Sequence, residues 1–161
     1  MRTSSGERSS VAQTISDATQ RGVDAARNQD VAELDLAVDI LASHADAARE
    51  LHALAVRELL ETSYQDGIDG DDISDVLTRM LNAAHLWGAP LDPQAAVTVL
   101  TGALGITGAP DENMAAIPAD EIVRAAILVI HDLVTDTKSD LTPCLDRAID
   151  EVRRAQTVEI P

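Results

Sequence analysis

The alternation of apolar and polar side chains is clearest between residues 31 and 63, a stretch without glycine or proline. At 100° per residue its polar side chains fall in one arc of roughly 120°, and apolar side chains occupy most of the remaining circumference. A helix that touches one neighbour needs an apolar stripe of only about 100°. The pattern therefore predicts a central helix or an oligomer interface. If continuous, this helix would be about 50 Å long, so we expect it to kink or to pair with another subunit. The polar arc consists of Asp35, Asp39, Asp46, Glu50 and Arg57.

Shorter stretches of helical periodicity flank this region, and no stretch shows the sustained alternation of a strand. Side chains that commonly cap helix N-termini mark several starts, and Gly88 marks one end. The predicted starts are Asp30, Asp71 or Asp72, Asp92 before Pro93, and Thr142 before Pro143. The resulting helices cover about residues 11–28, 31–63, 72–87, 93–104, 118–137 and 143–155.

Together these patterns predict an all-α fold. We expect a single-domain bundle of five to six helices organised around one long helix at about residues 31–63. The bundle domain is predicted to cover residues 11–156. Residues 1–10 are rich in serine and arginine, and we predict that they form a disordered N-terminal tail.

The charge of the chain excludes several classes of partner. Its 161 residues carry a formal net charge of −16. A phosphate backbone or an anionic membrane would repel such a surface, so we expect neither direct nucleic-acid binding nor membrane binding. Cys144 is the single cysteine and cannot form an internal disulfide, and the N-terminus lacks the apolar segment of a signal peptide. We therefore predict a cytoplasmic protein.

Two pairs of carboxylates provide the main enzymatic alternative. Glu58 and Glu61 on one helix, followed by Asp72 and Asp75 on the next, resemble the paired acidic residues of all-α nucleotide pyrophosphohydrolases. That resemblance implies a magnesium site and a metal-dependent phosphohydrolase activity. The chain offers no nearby lysine and little aromatic surface to hold a base. We therefore favour exposed carboxylates on solvated helices and predict no catalytic residue, metal or cofactor.

Histidines offer weaker signals. The adjacent His131 and Asp132 resemble the signature dipeptide of HD-type metal phosphohydrolases, which add a histidine upstream. Here His85 is distant in sequence, and we favour a histidine at the edge of the apolar face beside a solvated aspartate. His44 and His52 fall within the apolar arc, two turns apart, so they cannot share one metal ion. We expect each to be partly buried with a hydrogen-bond partner.

The absence of a convincing catalytic set leads to a functional hypothesis. We predict a non-catalytic acidic protein that acts through protein–protein binding, either as a homodimer or with a basic partner, for which it could act as a nucleic-acid mimic. The surface predicted to bind the basic partner is the acidic ridge, defined as Asp35, Asp39, Asp46 and Glu50. The metal-dependent hydrolase stays the alternative.

Overall fold

The structure, a computed structural model, describes residues 4–105 and 117–158, and every regular element within them is a helix. The predicted all-α class is thus confirmed. The seven helices in the described residues are α1 (Ser4–Arg27), α2 (Val31–Ala42), α3 (Ala45–Ser63), α4 (Gly70–Trp87), α5 (Pro93–Ala103), α6 (Ala119–Thr137) and α7 (Leu141–Val158).

The stretch predicted as one long helix is divided into α2 and α3. His44 leaves the helical conformation, with φ −126° and ψ 44°, and its backbone N–H bonds Leu41 O at 3.0 Å. The preceding Ser43 hydroxyl donates to Ile40 O at 2.7 Å and so satisfies a carbonyl at the end of α2. The predicted single helix over residues 31–63 is therefore replaced by two helices. We had expected this stretch either to kink or to pair with another subunit, and the structure shows a kink.

Two helices, α3 and α6, share the centre of the bundle. α3 contacts α1, α2, α5, α6 and α7, and α6 contacts each of α1 to α5. All six residues of the apolar run 125–130 on α6 are buried, which covers the whole circumference of that helix. Residues 31–63 were predicted to organise the fold, and their second half, α3, is one of the two central helices.

Most predicted helix caps agree with the structure, and two are displaced. One is Thr142, which lies inside α7 because that helix begins at Leu141. Asp30 accepts from Glu33 N at 3.1 Å, and Gly88 ends α4 in the left-handed conformation with φ 73°. The start of α4 was predicted at Asp71 or Asp72. The actual cap is Asp69, which forms a capping box with Asp72 through bonds of 2.9 and 3.0 Å.

The first helix begins earlier than the predicted residue 11. α1 begins at Ser4, so its backbone includes most of the segment predicted to be a tail, and residues 1–3 lie outside the described residues. The domain limits at residues 11 and 156 stay a prediction. Within the described ranges, no helix combines the length and the apolar character needed to cross a bilayer.

Candidate functional site

A cavity of about 460 Å³ lies between α3, α5 and α6. Its lining is mostly apolar and comes from residues distant in sequence. Exposed residues of α3 and α5 form its outer edge, whereas buried residues form its inner wall. The inner wall consists of His52, Ala103, Ile122, Val123 and Ala126.

The outer edge is acidic. Asp46, Arg49 and Glu50 lie on α3 along this edge, and all three are exposed. Asp46 and Glu50 are one turn apart, which places them on the same side of the helix. Among the described residues their carboxylates form no ion pair or side-chain hydrogen bond. With two carboxylates and one guanidinium, the outer edge keeps a net negative charge.

His52 is the polar residue of the inner wall. Its Nε2 lies 2.8 Å from Thr19 Oγ1, and the same hydroxyl lies 2.7 Å from Ile15 O. The carbonyl can only accept, so the single hydroxyl proton goes to Ile15 and Nε2 must donate to Thr19. This assigns the proton of the neutral ring to Nε2 and leaves Nδ1 as an acceptor. Nδ1 is buried and has no hydrogen-bond partner among the described residues.

Burial also determines the charge of His52. Desolvation lowers its pKa from 6.5 to about 4, because the charged imidazolium is disfavoured away from water. The ring is therefore neutral near neutral pH. An unpaired buried acceptor costs about 1–3 kcal/mol, which a hydrogen-bond donor could recover. The expected hydrogen-bond partner of His52 is thus confirmed, although only one ring nitrogen is satisfied and the side chain is fully rather than partly buried.

The structure divides the predicted acidic ridge between two helices. Asp35 and Asp39 lie on α2, whereas Asp46 and Glu50 lie on α3 beyond the break. Asp35 pairs with Arg124 of α6 at 3.2 Å and so helps to hold α2 against α6. Asp39 is exposed and forms no ion pair with a described residue. Three of the four carboxylates thus form no ion pair with a described residue, and two of these border the cavity.

Glu58 and Glu61, from the alternative metal site, each have a cationic partner. Glu58 accepts two hydrogen bonds from Arg147 of α7, at 2.6 and 2.9 Å. These bonds lower the pKa of Glu58. Glu61 pairs with Arg57 one turn earlier at 3.1 Å. Both carboxylates therefore have partners that a bound cation would need to displace.

The second pair of the alternative metal site does not join the first. Asp72 closes the capping box with Asp69, and Asp75 is exposed one turn further along α4. In the part of the chain that the structure describes, no group of three or more His, Cys, Asp or Glu side chains could hold a metal ion. The geometry therefore gives the hydrolase alternative no specific support.

Asp132, next to His131, is bound in an ion pair rather than solvated. Arg79 of α4 donates to both of its carboxylate oxygens, with distances from 2.6 to 3.0 Å. The Asp132 side chain is only 11% exposed, so the expected solvated aspartate is wrong. Burial lowers the pKa of His131. In the dipeptide that resembled a metal-binding signature, Asp132 instead forms an ion pair that joins α6 to α4.

Cys144 is buried on α7. Its pKa is raised to about 12, first by burial and then by the neighbouring Glu58. A thiol with so high a pKa holds almost no thiolate at neutral pH, so it does not serve as a nucleophile.

The cavity itself escaped sequence reasoning because it is formed by three helices that meet only in the folded chain. His52 was recognisable from its position in the apolar arc, but its partner Thr19 was not. Gly102 also lines the cavity, within α5. Comparison of the chain with protein families, curated proteins and solved structures found no match.

Proposed function

We propose that this chain is a non-catalytic binding protein that recognises a basic protein partner through Asp39, Asp46 and Glu50. The observation that carries the proposal is that these ridge carboxylates are exposed and have no cationic partner among the described residues. Unpaired carboxylates keep their full charge for a partner, whereas Asp35 is already paired with Arg124. The binding surface of the proposal is therefore smaller than the ridge predicted from sequence.

The charge of the whole chain supports a basic partner. The sequence holds 28 acidic and 12 basic side chains, so most carboxylates lack a cation even if every base is paired. The resulting field attracts cationic surfaces and accelerates encounter with them. A protein that normally binds nucleic acid offers such a surface, and spaced carboxylates could replace phosphates there. The same field disfavours direct binding to nucleic acid or to anionic lipid.

Self-association has less support than partner binding. The homodimer was predicted from the broad apolar arc of residues 31–63, but most of those side chains are buried against the chain's own helices. Leu36 on α2 is an exception, with half of its surface exposed. A single exposed leucine is ordinary for a soluble monomer. Light scattering at several concentrations tests the homodimer, and a cytoplasmic location likewise stays a prediction.

The proposal is tested with a labelled oligo-arginine peptide as the basic probe. The test variant is Asp39→Asn/Asp46→Asn/Glu50→Gln. The matched control is Asp66→Asn/Asp75→Asn/Asp146→Asn, which removes the same number of charges from exposed, unpaired carboxylates elsewhere. Fluorescence anisotropy should show weaker peptide binding for the test variant than for the control, since nearby charges act more strongly than distant ones.

Two results would contradict the proposal. Equal losses in both variants would mean that only the total charge attracts the peptide. Affinity for the peptide that does not fall with added salt would mean that carboxylates do not drive the binding. Circular dichroism of the variants should match that of the parent chain, because none of the substituted side chains is buried.

A further inference from the structure

The cavity between α3, α5 and α6 has the properties of a small-molecule site. Its volume of about 460 Å³ lies within the range of about 300–1,000 Å³ that is typical of ligand pockets. Typical pockets combine a mostly apolar lining with a few polar groups that orient the ligand. Here the polar groups occupy two depths, with His52 on the inner wall and Asp46 and Glu50 on the outer edge.

We propose that this cavity binds a small organic cation with an apolar body and a hydrogen-bond donor. The apolar body fits against Ile122, Val123 and the small side chains beside them, where burial favours it. The cationic group lies at the outer edge, near the unpaired carboxylates of Asp46 and Glu50. An anion is disfavoured there, both by this edge and by the net charge of the whole chain.

Because of His52, the site should prefer a ligand that carries a hydrogen-bond donor. Its Nδ1 can only accept, because Nε2 donates its proton to Thr19. An N–H or O–H on the apolar body would satisfy this buried acceptor. A donor-free analogue of the same size should then bind more weakly.

Four related probes separate these contributions in isothermal titration calorimetry. Tryptamine carries a cation and an indole N–H, whereas indole-3-acetate replaces the cation with an anion. Indole keeps only the N–H, and 1-methylindole lacks it. We expect tryptamine to bind most tightly and indole-3-acetate to bind about tenfold more weakly or not at all. Indole should bind more tightly than 1-methylindole, by about tenfold, if its N–H satisfies Nδ1.

Gly102 allows the cavity to be blocked without disturbing the fold. It lies within α5 and lines the cavity, and a Cβ added there meets no atom within 4 Å. Gly102→Leu should abolish tryptamine binding. Gly70→Leu is the matched control, because a Cβ at Gly70 on α4 also meets nothing within 4 Å and Gly70 does not line the cavity. It should bind tryptamine as the parent chain does.

The outer edge is tested by Asp46→Asn/Glu50→Gln, which should weaken tryptamine about fivefold and leave indole unchanged. The inference is wrong if no probe binds or if Gly102→Leu keeps its affinity for tryptamine. It is also wrong if indole-3-acetate binds as tightly as tryptamine, or if 1-methylindole binds as tightly as indole. The cavity shares Asp46 and Glu50 with the surface proposed for the basic partner. The two proposals are still distinguishable, since Gly102→Leu removes no charge and should leave affinity for oligo-arginine unchanged.

Discussion

His52 illustrates how one buried polar side chain connects packing with titration. Only 2% of its surface is exposed, and among the described residues its side chain is hydrogen-bonded only to Thr19, at 2.8 Å. The ring contributes to the bundle core only in its neutral form, because no carboxylate of the part of the chain that the structure describes is bonded to it to stabilise a charge. The folded chain therefore resists protonation at this position more strongly than the unfolded chain does.

This difference predicts a loss of stability in mild acid. The folded pKa of about 4 lies below the unfolded value of 6.5, so the unfolded state binds the proton first as the pH falls. The stabilising contribution is complete above pH 6.5 and is lost as the pH falls toward 4. Between about pH 7 and about pH 5 we expect the free energy of unfolding to fall by about 2 kcal/mol from this residue.

Urea unfolding of His52→Gln measures this contribution, because glutamine can still donate to Thr19 but does not titrate. The variant should lose less stability than the parent chain over the same pH interval. His85→Gln is the control, because it removes a histidine that is exposed on α4 and does not line the core. An unchanged pH dependence in His52→Gln would contradict the prediction.

The partners of charged residues could not be predicted from sequence, although their positions on helix faces could. Asp35 and Arg124 are 89 residues apart, as are Glu58 and Arg147. Helical periodicity describes neighbours three or four positions away and contains no information about such distant pairs. The sequence therefore indicated exposed carboxylates but could not distinguish those held in ion pairs from those free to bind a partner.

At the scale of the helix, capping residues predicted the ends of helices better than the length of an uninterrupted helical pattern did. The capping side chain of Asp30 and the terminal Gly88 mark true helix ends, because both act on backbone groups of their own helix. The break at Ser43 and His44 contains no glycine or proline, so helix propensity did not predict it. There the serine hydroxyl bonds backbone carbonyls of α2, which competes with continuation of the helix.

The crossing of α1 and α6 depends on one glycine. A Cβ placed on Gly22 would lie 2.7 Å from Cδ1 and 3.1 Å from Cγ2 of Ile127, whose side chain is fully buried. Gly22→Ala should gain up to about 1 kcal/mol of helix propensity and lose about 1–3 kcal/mol to overpacking. We expect a net loss of about 1 kcal/mol in the free energy of unfolding.

A double-mutant cycle with Ile127→Val isolates this contact. The valine lacks the nearest atom, Cδ1, and alone should cost about 0.5–1.5 kcal/mol. The double variant should be more stable than the sum of the two single losses predicts, because the new methyl group occupies the space that Cδ1 leaves. Purely additive losses in chemical denaturation would show that the two helices do not meet as closely as the structure indicates.

At the scale of the whole molecule, the net charge of −16 opposes compactness. The ion pairs of the described residues draw helices together, as Arg79 and Arg124 do for α6. They cannot neutralise a chain with more than twice as many acidic as basic side chains. Repulsion among the remaining carboxylates acts over longer distances than these pairs do, so dissolved salt should screen the repulsion first.

We therefore expect salt to stabilise the fold. Between about 0.01 M and about 0.1 M sodium chloride the Debye length falls from about 30 Å to about 10 Å, and the melting temperature should rise by a few degrees. The Asp66→Asn/Asp75→Asn/Asp146→Asn variant carries less negative charge, so it should melt at a higher temperature in low salt and respond less to added salt. If the melting temperature of the parent chain falls with added salt, the ion pairs outweigh the repulsion. The partly buried pair of Arg79 and Asp132 would then be the first to test by substitution.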